Sequence, residues 1–561
     1  MSLGEALVAK GLVTREQLAQ ANQTRRSASD RLDKILLQLG LVSEGDLLKV
    51  FSEQFAIPTI DLPTETIDSA LVKAMPPKLI HRRRIFPYAK RGQTLMVATS
   101  DPFDVYALDE LRAVTGYNVE PVLAPEREIA NMIKRYFGVG GAAIDEMLES
   151  ESHDLQVIHD VETQDKDLLE QAQEATVVKL VNEILRDAIN DRASDIHIEP
   201  FEDDLRIRNR VDGVLHTTNV APQIKRFQAA IISRIKIMST LNIAEKRLPQ
   251  DGGFKIRHEG REIDIRVSVI PNVYGEGVVL RILDKSSTVL RLTDLGMDER
   301  TYERFERLIT RPHGIILVTG PTGSGKTTTL YAALNTIVSD NIKVITVEDP
   351  VEYRLNGVNQ IQVHPNIGLT FAAGLRSILR HDPDVIMIGE IRDLETAEAA
   401  IQASLTGHLV FSTLHTNDAC SAATRLIDMG VEPYLVATSV EGVMAQRLVR
   451  TICPNCREPY RPDPAEMPSD FKIAPGTVLY HGVGCRECKT TGLRGRLGIF
   501  ELALFSDTMR HAIMERIPAG KLNEIARREK MISLREDGWL KVKGGLTTPE
   551  EVLRVTVAAS T

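Results

Sequence analysis

Residues 320–327 read Gly-Pro-Thr-Gly-Ser-Gly-Lys-Thr, a G-x-x-x-x-G-K-[ST] arrangement whose chemistry is the holding of polyphosphate. Small residues let backbone N–H groups converge on an anion, and a helix start adds the positive end of its dipole. In that cradle Lys326 would neutralise the outer phosphates and the Thr327 hydroxyl would help to hold Mg²⁺. Gly320, Pro321, Thr322, Gly323, Ser324, Gly325 and Thr328 complete the nucleotide contacts. Two acids stand near the ends of other apolar runs, Glu348 in 344–352 and Glu390 in 384–390. Glu390 would orient an attacking water or accept its proton, whereas Glu348 would do the same or act on Mg²⁺ through water. Which of the two is the base stays open. His415 follows a further apolar run, in 407–418, where a ring could sense a terminal phosphate.

Metal chemistry is implied separately by Cys453-Pro454-Asn455-Cys456 and Cys485-Arg486-Glu487-Cys488, two C-x-x-C knuckles with 28 residues between them. Four thiolates close a tetrahedral zinc site with no position left for substrate, so this Zn²⁺ would be structural. Cys420 stands alone and reads as a small core residue.

These groups need positioning elements. A phosphate loop works between a buried strand and a helix, and the apolar residues 314–319 and the proline-free run 327–338 supply both. Apolar strands at 315–319, 343–347, 385–388 and 409–413 alternate with helical stretches, which predicts a parallel sheet covered on both faces. Acids at the ends of such strands face the nucleotide crevice.

A chain of 561 residues is too long for one core and predicts several domains. Its formal charge of −9 gives no general pull toward nucleic acid or anionic lipid. No apolar run is long enough to span a bilayer and the start is not that of a secretory signal, so a cytoplasmic protein is expected.

The fold class expected is multidomain α/β. A helical docking region at 1–62 carries a weak internal repeat, with Gly-Leu-Val at 11–13 and again at 40–42, and reads as a pair of helical hairpins. A small α/β subdomain follows at 63–140. An acidic linker at 141–171 holds ten acids and one lysine between Asp145 and Glu170. The remaining assignments are an α+β domain at 172–288, an ATPase core at 289–450, a zinc-binding insert at 451–498 and a helical C-terminal region at 499–561.

The order of these motifs resembles the secretion ATPases that assemble type II secretion pseudopili and type IV pili, over most of the chain. In that resemblance residues 348–352 are similar to the Asp box, 380–390 to a divergent Walker B motif and 407–418 to the His box. It implies a RecA-like core and a homohexameric ring. It also implies a preceding domain whose arginines reach the nucleotide, here Arg266 and Arg281, with Arg210 a weaker third. The partners implied are an inner-membrane platform protein and a membrane-anchored adaptor, recruiting the chain to the inner face of the cytoplasmic membrane. Type II secretion is the leading assignment and pilus extension the alternative. Retraction ATPases resembling this chain lack both the long N-terminal region and the four-cysteine insert.

The N-terminal repeat also resembles paired motifs that bind cyclic di-GMP, but Ser2-Leu3-Gly4 and Arg31-Leu32-Asp33 stand where Arg-Leu-Gly is expected. Docking is therefore the main reading there and cyclic di-GMP the lesser one. Two readings of other classes compete with the motor. A nucleic-acid translocase is disfavoured by the acidic charge and the lack of an aromatic-basic stripe. A nucleotide-sensing scaffold is disfavoured by the intact acids and arginines.

Overall fold

The computed structural model describes residues 3–24, 31–65, 67–141, 143–144, 175–284, 290–463, 465, 467–474 and 476–556. The acidic stretch 145–170 lies outside the described residues. The chain divides into two compact units, 1–284 and 285–561.

The first unit opens with helices Leu3–Ala9, Arg15–Thr24, Leu32–Gln38 and Glu44–Phe55. The repeat is visible in space: Gly11 and Gly40 both take a left-handed φ, 68° and 65°, to turn the chain between helices. Val13 and Val42, two residues on, are both buried with Leu7, Leu36, Leu47 and Phe51. A three-stranded sheet follows, with Phe86–Arg91 antiparallel to Thr94–Thr99 and Asn118–Leu123 parallel to it. Helix Glu126–Phe137 packs Ile129, Met132 and Ile133 into its core.

Residues 143–144 were expected in a linker, yet Ala143 and Ile144 are fully buried in the next core with Leu180 and Ile184. The first backbone after Gly138 is anchored there too, where Val139 N–H donates to Asn219 O at 2.8 Å. That core lies between helices Ala175–Asn190 and Gln228–Met238 and a six-stranded antiparallel sheet. The sheet runs Val214–Thr217, Leu205–Val211, Ala193–Pro200, Gly275–Asp284, Arg261–Asn272, Gln250–His258.

The second unit is built on seven strands. In spatial order they are Val358–Gln362, Val344–Glu348, Val385–Ile388, Leu409–Leu414, Gly314–Thr319, Val440–Ile452 and Leu493–Leu504. The first six are parallel and the last pairs antiparallel. Every residue of Gly314–Thr319 is buried, its alternate side chains entering opposite layers: Ile315 and Leu317 in one, Ile316 and Val318 in the other. Helices cover both faces, so the strands read as unbroken apolar runs.

Two features depart from the sequence reading. Strand Val344–Glu348 begins one residue later and ends on the acid itself; Lys343 N–H donates to Asp384 Oδ2 at 2.7 Å, just before the neighbouring strand. The sheet also takes its edge strand from beyond the cysteine segment: Leu493–Leu504 pairs along Val440–Ile452, so the core does not close at 450 and residue 499 continues a strand rather than opening a helical region. The helices from Asp507–Met514 to Pro549–Val555 follow it.

Candidate functional site

The central strand Gly314–Thr319 ends at Gly320, where the chain leaves the sheet for helix Lys326–Ile337. Glycine is required at this exit. A Cβ on Gly320 would lie 2.6 Å from both Gln446 O and Ser324 Oγ, and one on Gly325 would lie 2.8 Å from Gln446 Nε2. Gly323 and Gly325 also hold positive φ, 80° and 90°. Gln446 fixes the helix from below by accepting a 2.7 Å bond from Thr329 Oγ1. Thr319 ties the loop to the next strand end, accepting from Thr416 N–H at 2.8 Å.

Inside this cradle Lys326 Nζ curls back to donate to Gly320 O at 2.8 Å and Pro321 O at 3.2 Å. Burial pushes its ammonium down, and although Glu390 pulls it up, Arg447 adds to the fall, leaving it at about 8. Ser324 Oγ is buried with no hydrogen-bond partner among the described residues. An orphaned hydroxyl, a buried ammonium bonded only to carbonyls and two loop glycines, Gly320 and Gly325, with no room for a Cβ all suit a polyphosphate. Thr327 and Thr328 follow, half-buried, on the first turn of the helix.

The acids expected at the strand ends are both present, in different environments. Glu348 is almost fully buried. Its carboxylate accepts from Tyr331 on the phosphate-loop helix, from Thr346 Oγ1 at 2.6 Å and from Gln360 Nε2 at 3.0 Å. Tyr331 is itself fully buried, and burial together with the Glu348 charge holds its phenol strongly protonated. Glu390 instead borders the crevice. His415 Nε2 lies 3.2 Å from Glu390 Oε2, Arg392 pairs with Oε1, and Arg392 also approaches Asp349 at 4.0 Å. The neighbouring strand holds the segment: Thr413 Oγ1 donates to Gly389 O at 2.8 Å and Ile391 N–H to Thr413 O at 3.1 Å.

The structure thus gathers Lys326, Glu390 and His415 at one end of the sheet, with Glu348 behind them. It adds Arg392 and Arg447, which motif reading missed. Arg392 stands two residues past Glu390, a visible cue; Arg447 had none, since it reaches the loop only through strand order.

Arg266 and Arg281 lie in the first unit, directly paired on adjacent strands. Arg281 Nε donates to Asp195 Oδ1 at 3.1 Å, and Arg210 lies 3.8 Å from the same carboxylate. Arg31, the arginine retained in the N-terminal repeat, donates to Asp33 Oδ2 at 2.6 Å and to Asp101 Oδ1 and Oδ2 at 2.8 and 2.7 Å.

Cys453, Cys456, Cys485 and Cys488 come together as expected, their sulfurs all within 4.8 Å of one another. Cys453–Cys485, Cys456–Cys488 and Cys485–Cys488 each stand 3.7 Å apart. A tetrahedron of sulfurs around zinc at about 2.3 Å has edges of about 3.8 Å, so the donor set fits. Backbone N–H groups of Cys485 and Gly492 donate to Cys488 Sγ at 3.1 and 3.2 Å. Cys420 is buried apart from them.

The family described as type II/IV secretion system protein matches residues 170–554, well over half of the chain. The chain belongs to that family. A second match, described as the MshEN domain, covers residues 55–143, which begins where the helical repeat ends. The type IV pilus assembly ATPase PilB of Myxococcus xanthus (strain DK1622) is 43% identical over 556 residues, 98% of each chain. The type II secretion system protein E of Xanthomonas campestris pv. campestris is also 43% identical, over 561 residues and 98% of each chain. A solved structure of the pilus retraction motor PilT with bound ADP aligns at 27% identity and a TM-score of 0.45, over 67% of this chain and 96% of that one. Membership gives the second unit its RecA-like ATPase fold and makes this a nucleotide-binding secretion or pilus-assembly ATPase. Relatives of equal identity carry both names, so the family is shared by the two machines. Among the described residues no helix is long and apolar enough to cross a membrane.

Proposed function

We propose that this protein is a Mg²⁺-dependent ATP hydrolase that works as a homohexamer and drives pseudopilus assembly in type II secretion. The observation carrying the reading is the phosphate cradle, in which Lys326 and the unpartnered Ser324 hydroxyl converge with Glu390 and His415. Lys326 and the loop N–H groups bind the phosphates, and the Thr327 hydroxyl is the residue that would hold Mg²⁺, which neutralises charge on the transferred group. Glu390 orients the water and takes its proton, because its carboxylate, though paired with Arg392 and His415, is less buried than that of Glu348, which three donors enclose. Glu348 keeps the strand end and the phosphate-loop helix in register. His415 holds the Glu390 carboxylate from the neighbouring strand.

Arg266 and Arg281 are read as the arginines that supply positive charge to the transferred phosphoryl group. Cys453, Cys456, Cys485 and Cys488 hold a structural Zn²⁺. The partners are an inner-membrane platform protein and a membrane-anchored adaptor, which bring a cytoplasmic chain to the membrane face. Cyclic di-GMP stays the lesser reading at the N-terminal region, where a phosphate at Arg31 would compete with Asp33 and Asp101. Type IV pilus extension is the second reading, favoured by the Myxococcus relative.

Lys326→Ala in the native host tests both. Loss of exported protein with pili intact is expected, loss of pili with export intact transfers the chain to pilus extension, and an unchanged host rejects the motor.

A further inference from the structure

The strand Val440–Ile452 brings a second cation to the phosphate loop. It pairs in parallel with the phosphate-loop strand as far as Thr319 opposite Ala445, so Arg447 projects two residues beyond, where the loop begins. Arg447 Nη1 would stand 3.1 Å from a Cβ built on Gly320, whose carbonyl also accepts from Lys326. Two cations therefore meet at one glycine.

The guanidinium touches no carboxylate among the described residues; burial lowers its pKa, and Glu501 and Asp418 oppose that only through their charge. It donates to Gln446 O at 3.0 Å and to Asn417 O and Oδ1 at 2.9 and 3.4 Å, and it makes no ion pair among the described residues. The acids nearest in charge are engaged elsewhere. Asp418 accepts from Ser421 N–H at 2.8 Å and Ser421 Oγ at 2.5 Å. Glu501 accepts from the N–H groups of Ala419 at 2.9 Å and Leu534 at 3.3 Å. On the other side, Lys326 has Glu390 as its one opposing charge and Arg447 as its repelling one. Half-buried like charges held together on carbonyl acceptors cost free energy until an anion arrives, and they fit a polyanion better than a single carboxylate.

We propose that Arg447 is a second phosphate-contacting cation of the nucleotide site, supplied by the same subunit as Lys326. The proposal rests on reading the loop as an ATP site and deepens it. Guanidinium keeps its charge where ammonium loses it, so Arg447 sustains phosphate binding on the alkaline side of neutrality. Its planar fork also spans two phosphate oxygens, which Lys326 does not.

Calorimetric titration of the full-length protein with Mg²⁺-ADP and Mg²⁺-ATPγS from pH 7 to 9.5 tests it, using wild type, Lys326→Ala, Arg447→Ala and Arg447→Lys. Arg447→Ala is expected to weaken both nucleotides about tenfold to a hundredfold at pH 7, with Arg447→Lys recovering part of the loss. A phosphate contact lowers affinity without loosening the fold, so Arg447→Ala is expected to keep the wild-type denaturant midpoint followed by Trp539 fluorescence, which a merely structural arginine would lower. Wild-type affinity in Arg447→Ala overturns the inference. So does a loss that Arg447→Lys shares in full together with a lowered denaturant midpoint, since packing alone then explains it. A wild type that binds neither nucleotide overturns the ATP reading and this inference together, whereas binding abolished by Lys326→Ala but untouched by Arg447→Ala removes the inference alone.

Discussion

Lys326 gives the nucleotide site its pH dependence. Burial lowers its pKa first, Glu390 opposes and Arg447 assists, leaving it at about 8 rather than 10.5. Below 8 the ammonium is present to meet phosphate; above it the charge is lost. Nucleotide affinity measured by titration should be level between pH 6 and 7.5 and fall as pH rises past about 8, with binding itself pulling the group back toward protonation. At Glu390 the expectation concerns turnover. Glu390→Gln should keep nucleotide affinity and slow hydrolysis by about 10²–10⁴-fold, read by single-turnover phosphate release. Should Glu348→Gln prove the slower variant, the base lies at the buried acid. Sequence could not separate the two, because each is an acid at the end of an apolar strand. Their surroundings differ: Glu348 is buried among donors from three elements, Tyr331, Thr346 and Gln360, whereas Glu390 is less buried and pairs with Arg392 and His415.

The long strand Val440–Ile452 is the element that joins the two chemistries, passing Gln446 and Arg447 under the phosphate loop and ending one residue before Cys453. Its far end is clamped by helix Pro549–Val555. Glu551 accepts from Arg450 N–H at 3.0 Å, Arg450 Nη2 at 2.6 Å and Arg554 Nη2 at 2.7 Å. Burial raises the Glu551 carboxyl, but the two arginines outweigh it and bring it down to about 2 from 4.5. A depressed carboxyl stabilises the fold fully above about 4.5, and that contribution is lost as pH falls toward 2. Glu551→Gln should therefore cost about 2 kcal/mol at pH 7, with the difference shrinking below pH 4. Trp539, the sole tryptophan, stacks on Phe471 with ring centroids 4.5 Å apart, so its fluorescence reports this unit's denaturant midpoint.

For the whole molecule the proposal to test is that arginines of the first unit serve the nucleotide bound by the second. Arg266 and Arg281 stand side by side on a rigid antiparallel sheet, and Asp195 orients Arg281. If they serve the transferred phosphoryl group, Arg281→Ala should lower kcat on the order of 10³-fold and leave Mg²⁺-ADP affinity unchanged. Equal losses in both would make Arg281 a structural residue of its own sheet. Steady-state hydrolysis beside calorimetry distinguishes the outcomes.

The phosphate loop and the four cysteines were legible in sequence because each is a local device: spacing within eight residues fixes where N–H groups point, and two-residue gaps fix where paired thiolates lie. Four of the parallel strands were legible too, since strands buried on both faces must be apolar throughout. Tertiary structure alone decided the rest. It alone set Leu493–Leu504 at the sheet edge, because a strand separated by the cysteine segment gives no local sign of its partner. Only folding could bring Arg447 to Gly320, across 127 residues that parallel pairing reduces to neighbouring strands. Sequence fixes chemistry that is near in the chain; parallel sheets assemble their sites from residues that are far apart in it, and which acid is buried and which cation lacks an ion pair is settled by packing.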